Sequence, residues 1–244
     1  MPSRTWSREI AEVYDRASAA MFDPAVVDPA VDTLADLARG GAALEFAVGT
    51  GRIALPLRAR GVDVHGIELS PPMVEQLRRK PGGDAVPVTV GDMTTTRVPG
   101  EFALVYLVFN TIMNVTTQEE QVAVFENAAA HLAPGGVFVV EVIVPQVRAL
   151  PPGERGRVFR LEDDHVGIET FDDLEGQISW AHHWMRVDGR PVPDAAPYRG
   201  IWRPELDLPA RRAALRLRDR WSGWTRAPFT NESTGQVAVY GKPG

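Results

Sequence analysis

The chain has 244 residues, 44% of them hydrophobic, enough for one domain with a full core and an elaboration rather than two large domains. With 0 cysteines, disulfides, thiolate catalysis and cysteine-type zinc sites are excluded, and a reducing cytoplasm is the expected setting. The net charge is −6, with basic residues scattered apart from Arg211, Arg212, Arg216, Arg218 and Arg220, so a nucleic-acid partner is disfavoured. No apolar run has the length of a secretory segment or a membrane span, so no membrane partner is expected.

In chain order, Ser7 to Ala20 reads as a helix with Ile10, Val13 and Ala17 on one face and Tyr14 beside that stripe. A second helix is predicted from Pro29 to Arg39, with Asp28 as N-cap, Pro29 at N1 and Gly40-Gly41 as the stop. Strands and helices then alternate: Ala43 to Ala47, helix Ile53 to Arg60, strand Val62 to Ile67, helix Pro72 to Arg79, strand Val86 to Val90, strand Phe102 to Val108, helix Gln118 to Leu132 and strand Val137 to Val142. Pro134-Gly135-Gly136 reads as the turn before the fifth strand. Nearly continuous apolar strands between helices specify an open α/β sheet. After Pro151-Pro152-Gly153 the rhythm changes to antiparallel strands at Arg157 to Leu161, Gly167 to Asp172, Gln177 to Val187 and Tyr198 to Trp202. A helix in RPELDLPARRAAL, a strand in LRLRDRWSGW and a strand in GQVAVYGK complete the chain.

The segment LEFAVGTGRIALPL, Leu44 to Leu57, is a strand that turns through glycines straight into a helix. Gly49 and Gly51 let a ligand approach the backbone, the helix N-terminus offers unpaired N–H groups, and Glu68 follows about twenty residues on, at the end of the next strand, where a carboxylate suits a ribose. After Gly49-Thr50-Gly51 come Arg52 and Ile53 without the third glycine that a dinucleotide fingerprint requires.

These residues resemble motif I of the class I S-adenosylmethionine (SAM) dependent methyltransferases. Glu45 matches its acidic residue, Gly49 and Gly51 match two of its glycines, and Ala47 departs from the third. GIELSPPMVEQLR resembles the second motif, GDM (Gly91 to Met93) the adenine-side segment, FALVYLVFNTI motif IV, and LAPGGVFVVEV the end of the core. The resemblance covers roughly Glu9 to Pro145 and implies an α/β fold: a seven-stranded Rossmann-like sheet with helices on both faces and a small antiparallel β insertion. It implies a helical lid over 1–42, a SAM-binding core over 43–150, an antiparallel substrate-site insertion over 151–203, and a last helix with a terminal strand pair over 204–244. It also implies SAM as cofactor, held by Tyr14, Glu45, Ala47, Gly49, Gly51, Arg52, Glu68, Leu69, Met73, Asp92, Met93 and Phe109, with Glu68 on the ribose hydroxyls and Asp92 on the adenine amine. Tyr14-Asp15 resembles the pair that lids the cofactor in small-molecule methyltransferases. Asp92 also reads as a simple turn cap.

For the acceptor, ISWAHHWM places Trp180, His182 and Trp184 on one strand face and Ser179, Ala181, His183 and Met185 on the other. The first face is expected to contact the acceptor, with His182 handling a proton and His183 as the lesser candidate; packing of two indoles about a histidine is the structural alternative. Phe159, Phe171 and Trp202 are expected to complete either an aromatic pocket or a small core. Asn110 and Asn114, after the fourth strand, are expected to orient a substrate amine or hydroxyl, while Thr116 or Thr117 caps the following helix. No metal is expected, because His182 and His183 point oppositely and Asp163-Asp164-His165 reads as a solvated turn. The expected activity is methyl transfer to nitrogen or oxygen of a small-molecule acceptor, in secondary metabolism, with a homodimer as a secondary expectation. The alternatives are carbon methylation of an indole-like acceptor, a non-catalytic SAM-binding protein and an NAD-dependent oxidoreductase.

Overall fold

The computed structural model describes residues 6–145 and 150–244, so the first five residues of the expected lid and residues 146–149 of the expected core lie outside the described residues. Helices α1 (Arg8–Ala17) and α2 (Pro24–Ala38) precede the alternating core of β1 (Ala43–Phe46), α3 (Ala54–Ala59), β2 (Val64–Glu68), α4 (Pro71–Arg78), β3 (Val88–Val90), β4 (Phe102–Leu107), α5 (Gln118–His131) and β5 (Leu132–Ile143). Strands β6 (Gly156–Leu161), β7 (His165–Asp173), β8 (Ile178–Val187) and β9 (Arg190–Arg199) follow, then α6 (Arg203–Arg212), β10 (Arg216–Trp221) and β11 (Gly235–Gly241).

Two sheets result. The larger has 7 strands in the order β10-β11-β5-β4-β1-β2-β3, with β1 to β5 parallel and β11 entering antiparallel between β5 and β10. Its centre is buried on both faces, which is why Ala43–Phe46 shows no polar alternation beyond Glu45. On one face Leu44, Phe46, Leu107, Phe138 and Tyr240 pack against α5 and α6, and on the other Val64, Leu104, Val139 and Val237 pack against α2 and α3. The smaller sheet has 4 antiparallel strands in sequence order, β6-β7-β8-β9.

Three predicted boundaries are corrected. Helix α2 starts at Pro24 rather than Pro29, because Asp23-Pro24 carries the same N-cap and N1 signal five residues earlier: Asp23 Oδ1 accepts from Ala25 N at 2.8 Å. Pro29 falls inside the helix, and Asp28 pairs with Arg60 at 3.0 Å instead of capping. Strand β5 begins at Leu132, not Val137; the exposed Pro134 and Gly135 and the buried Gly136 form an irregularity in its register with β4 rather than a separating turn. The fourth insertion strand runs over Arg190–Arg199, not Tyr198 to Trp202. Pro191, Pro193 and Pro197 are unfavourable in a central strand, but β9 is the edge of its sheet and needs only one set of ladder bonds, the position where proline is tolerated.

The smaller sheet is tied to the core by a buried ion pair. Arg199, at the end of β9, donates to Gln121 of α5 and at 2.6 Å to Glu205 of α6, and Glu205 also accepts from Gln177 at 2.9 Å. The Arg199 and Glu205 side chains are only 8% and 14% exposed. Burial alone raises the Glu205 pKa, yet the hydrogen bonds from Gln177 and Arg199 bring it below the ordinary carboxylate value.

Candidate active site

A cavity of about 520 Å³ lies between the carboxyl ends of β1, β2 and β4 and one face of the smaller sheet, with α1 along its side. Ile10, Val13, Tyr14 and Ala17, the stripe legible in the sequence, line this cavity. Met21, Met73, Met93, Met113 and Met185, every methionine among the described residues, line it as well, giving an adaptable, polarisable wall.

The first half is built largely from backbone. After β1 the chain takes left-handed conformations at Ala47 (φ 53°), Gly49 (φ 56°) and Gly51 (φ 82°). A Cβ on Gly51 would stand 2.3 Å from Leu77 Cδ1, so the loop packs onto α4 only with glycine there. Ala47 adopts this conformation despite its Cβ, a local strain at the mouth of the cavity. Glu68, at the end of β2, accepts from Gly49 N at 2.9 Å through Oε2 and from Ser70 N at 2.8 Å through Oε1, so one carboxylate pins the glycine loop and the start of α4. Burial raises its pKa, and the backbone N–H bonds oppose the rise. Asp92 follows β3, with Oδ1 accepting from Thr94 N at 2.8 Å and Thr94 Oγ1 at 2.7 Å, the turn cap that the sequence left open.

Of the residues expected to hold the cofactor, Tyr14, Ala47, Gly49, Glu68, Leu69, Met73, Asp92, Met93 and Phe109 line the cavity, whereas Glu45, Gly51 and Arg52 stand outside its lining. Glu45 accepts from Tyr106 Oη at 2.9 Å, and burial pushes its pKa up to about 8. The Arg52 guanidinium lies 4.9 Å over the Phe109 ring. The cavity fits a sulfonium nucleoside: left-handed loop backbone at Ala47 and Gly49, carboxylates at successive strand ends, and Leu69, Met73 and Met93 as an apolar slot.

The Tyr14-Asp15 pair divides its work. Tyr14 lines the cavity with its phenol buried, which raises its pKa, and meets Trp6 edge-on at 5.3 Å. Asp15 turns the other way, accepting from Thr50 Oγ1 at 2.6 Å and pairing with Lys80, which itself donates to the Thr50 carbonyl at 2.8 Å. Arg8 to Glu75 at 2.6 Å and Arg16 to Asp188 at 3.1 Å attach α1 to α4 and to the β8–β9 turn. Sequence reasoning missed Lys80, whose place in the loop after α4 carries no local signal.

Phe109 and Asn110 both have positive φ, 55° and 61°. Glu141 holds them by accepting from Phe109 N at 2.7 Å, and Asn110 Oδ1 accepts from Ile143 N at 2.7 Å. Asn110 and Asn114 both line the cavity, with Asn110 already committing its oxygen to the loop. Thr117, not Thr116, caps α5 in a reciprocal box with Glu120.

The second half is a strand face. Ala181, His183 and Met185 line the cavity, so the alternation was read correctly and the choice of face was not. His182 lies on the outer face of the sheet, stacked between Trp180 and Trp184 at ring separations of 6.3 and 6.1 Å, with Trp184 51% exposed. Alternation alone does not say which face a lone β-sheet turns inward, and the bulkier face was the natural but mistaken guess. Of the further aromatics, Phe159 lines the cavity, while Phe171 and Trp202 do not. His165, read as part of a solvated turn, is the first residue of β7 and is buried; its Nε2 lies 2.8 Å from Nδ1 of His183. Arg157 pairs with Glu169 at 2.8 Å, and the register sets Asp194 opposite His183, all of them lining the cavity. The signal for this group was the strand alternation of β7 itself, which puts His165, Gly167 and Glu169 on one face.

Among the described residues no group of His, Asp and Glu is arranged to hold a metal, and no helix is long and apolar enough to cross a membrane. The methyltransferase domain family matches residues 43–136, the segment that builds the first half of the cavity. The CcbJ methyltransferase from Streptomyces caelestis is 32% identical with a TM-score of 0.88, and the alignment covers 100% of both chains. The dTDP-3-amino-3,6-dideoxy-alpha-D-glucopyranose N,N-dimethyltransferase of Streptomyces fradiae is 33% identical over 57% of this chain, which spans 55% of that relative's length. The cypemycin N-terminal methyltransferase of a Streptomyces species is 26% identical over 82% of each chain. The fold, the glycine loop, the acid at the end of the second strand and full-length similarity together make this chain a member of the class I SAM-dependent methyltransferases.

Proposed function

We propose that the protein methylates the nitrogen of a small amine-bearing acceptor, of the amino-sugar or amino-sugar-conjugate class, in secondary metabolism. The observation that carries this reading is the second half of the cavity, where Glu169 of β7, His183 of β8 and Asp194 of β9 line one face of the smaller sheet opposite the nucleoside half. Carboxylates hold an ammonium, and an imidazole accepts its proton near neutral pH. The related N,N-dimethyltransferase of Streptomyces fradiae and the cypemycin N-terminal methyltransferase both carry nitrogen methylation in their names, which favours nitrogen over oxygen. Carbon methylation of an indole loses its motivation, because the tryptophans that suggested it lie on the outer face. Family membership removes the oxidoreductase and non-catalytic alternatives.

When bound, SAM supplies an activated methyl group, so the protein's task is alignment and proton handling. Glu68 would hold the ribose hydroxyls, Asp92 the adenine amine, and the Ala47–Gly51 loop the amino-acid end. Tyr14, Phe109 and the methionines exclude water around the reacting centre, and Asn110 keeps the loop beneath it in place. His183 is the candidate catalytic residue, ahead of Asn110. The smaller sheet acts as a lid that selects the acceptor, the setting is cytoplasmic, and the exposed outer face around Trp184 is the surface for a homodimer.

The test is mass-detected methyl transfer from SAM to dTDP-3-amino-3,6-dideoxy-α-D-glucopyranose, to a free amino sugar and to a peptide with a free N-terminus. One added methyl on an amine supports the reading. Turnover confined to hydroxyl acceptors defeats it. Hydrogen exchange checks the lid, with protection of the smaller sheet expected on acceptor binding, and light scattering checks the dimer, which a monomer at micromolar concentration overturns.

A further inference from the structure

We infer that His165 and His183 form an imidazole relay that takes a proton from the acceptor nitrogen and delivers it to the protein surface at the Glu162–Asp164 turn. This rests on the cavity being the acceptor site of a methyltransferase, and it adds a positioning residue, His165, and a direction of proton flow.

The geometry carries it. A separation of 2.8 Å between His165 Nε2 and His183 Nδ1 requires one ring to donate and the other to accept, so a neutral pair shares a single bridging proton in either of two tautomers. With Nδ1 of His183 engaged by His165, exchange with a ligand falls to its Nε2. The rings sit at the edge of the cavity, His183 on β8 and His165 at the start of β7, where Glu162 and His165 exchange backbone hydrogen bonds across the exposed residues Asp163 and Asp164. His183 on the cavity wall is thus joined to His165, whose strand begins at the exposed Asp163–Asp164 turn. Phe159 packs edge-on against His183 at 5.3 Å and fixes the face of that ring.

The step balances without an added reagent. The acceptor N–H bond breaks, its electron pair stays on nitrogen, and the proton joins Nε2 of His183. The proton on Nδ1 of His183 moves to Nε2 of His165, and that on Nδ1 of His165 leaves beside Glu162 and Asp164. Both rings end in the opposite tautomer and remain neutral, so no buried cation accumulates. The charged and titratable groups around the pair come from every neighbouring element: Arg157 and Arg160 of β6, Glu162 and Asp164 of the turn, Glu169 of β7, Asp194 and Tyr198 of β9, and Tyr14 of α1. Burial lowers the His165 pKa first and Arg160 lowers it further, while Glu162 and Asp164 oppose them.

The experiment is long-range 15N NMR of the histidine rings in the full chain with S-adenosylhomocysteine, titrated from about pH 5 to 9. Expected are two macroscopic steps shared by both rings, as for any strongly coupled pair. In His165→Gln the amide oxygen still accepts from His183 Nδ1 but cannot pass a proton on, and His183 should collapse to a single step with S-adenosylhomocysteine affinity unchanged. Independent titrations in the unsubstituted protein, or a His183 titration that His165→Gln leaves alone, overturn the relay. With an amine that turns over, His165→Gln should lower kcat roughly ten- to a hundredfold with little change in KM; an unaltered kcat across the pH range also overturns it. If no amine probe turns over, the functional reading fails while the titration still decides the coupling.

Discussion

The two halves of the cavity are made by different means. The nucleoside half uses the backbone: three left-handed residues, loop N–H groups and one carboxylate, all at the carboxyl ends of strands that are buried on both sides. The acceptor half uses side chains that alternate along a half-exposed antiparallel sheet, where each residue is replaceable without moving the strand. A shared cofactor therefore meets an immovable surface, and acceptor choice is left to a surface that tolerates change.

The comparison breaks most completely where the halves are joined. Arg199→Ala leaves the mostly buried Glu205 with only the amides of Gln177 and Gln118 and should cost about 3 kcal/mol, loosening the smaller sheet while the core stays folded; limited proteolysis after Leu161 and calorimetry check it. In the unsubstituted protein the same joint is pH-sensitive. The folded-state pKa of Glu205 is depressed, so its stabilisation is fully present above the unfolded carboxylate value and is lost as pH falls through the lowered folded value.

Within the acceptor half, His183→Asn should reduce kcat by roughly a hundredfold or more, the usual scale for losing a general base, while His182→Asn on the outer face leaves kcat and KM nearly unchanged. Steady-state kinetics with the same amine separates the faces, and equal defects would abolish the distinction between them.

In the nucleoside half, Glu68→Ala should weaken SAM binding about ten- to a hundredfold through charged hydrogen bonds worth roughly 1.5–3 kcal/mol. Because Glu68 also holds Gly49 N and Ser70 N, the melting temperature without ligand should fall too. Calorimetric affinity and a melting curve read the two effects separately.

Glu45→Gln keeps the hydrogen bond from Tyr106 and removes a group whose folded pKa is raised to about 8. A raised carboxyl pKa means that the folded state binds more protons than the unfolded one, so the parent protein loses stability as pH rises from the ordinary carboxylate value toward about 8. The substituted protein should be spared that loss, a difference visible in urea midpoints at pH 6 and pH 8.

The smallest effect is expected for Ala47→Gly. Relief of the left-handed strain, of order 1–2 kcal/mol, is partly cancelled by the greater freedom of glycine in the unfolded chain, leaving a gain of about 1 kcal/mol or less. A fall in stability would show that the Ala47 methyl contributes packing worth more than the strain.

The sequence alone determined the parallel core, because doubly buried strands, caps and glycine turns are local signals, and Ala47, Gly49, Glu68, Asp92 and the α1 stripe line one cavity. Local signals misled where they were duplicated, as with Asp23-Pro24 and Asp28-Pro29, or where an unfavourable residue was excused by position, as with the prolines of β9. Only the tertiary structure decided which face of β8 looks inward, that His165 reaches His183, that Lys80 closes on Asp15, and that Arg199 ties the sheets together. Each of those contacts joins residues on different elements, and a period along one strand carries no information about which of its two faces another element will cover.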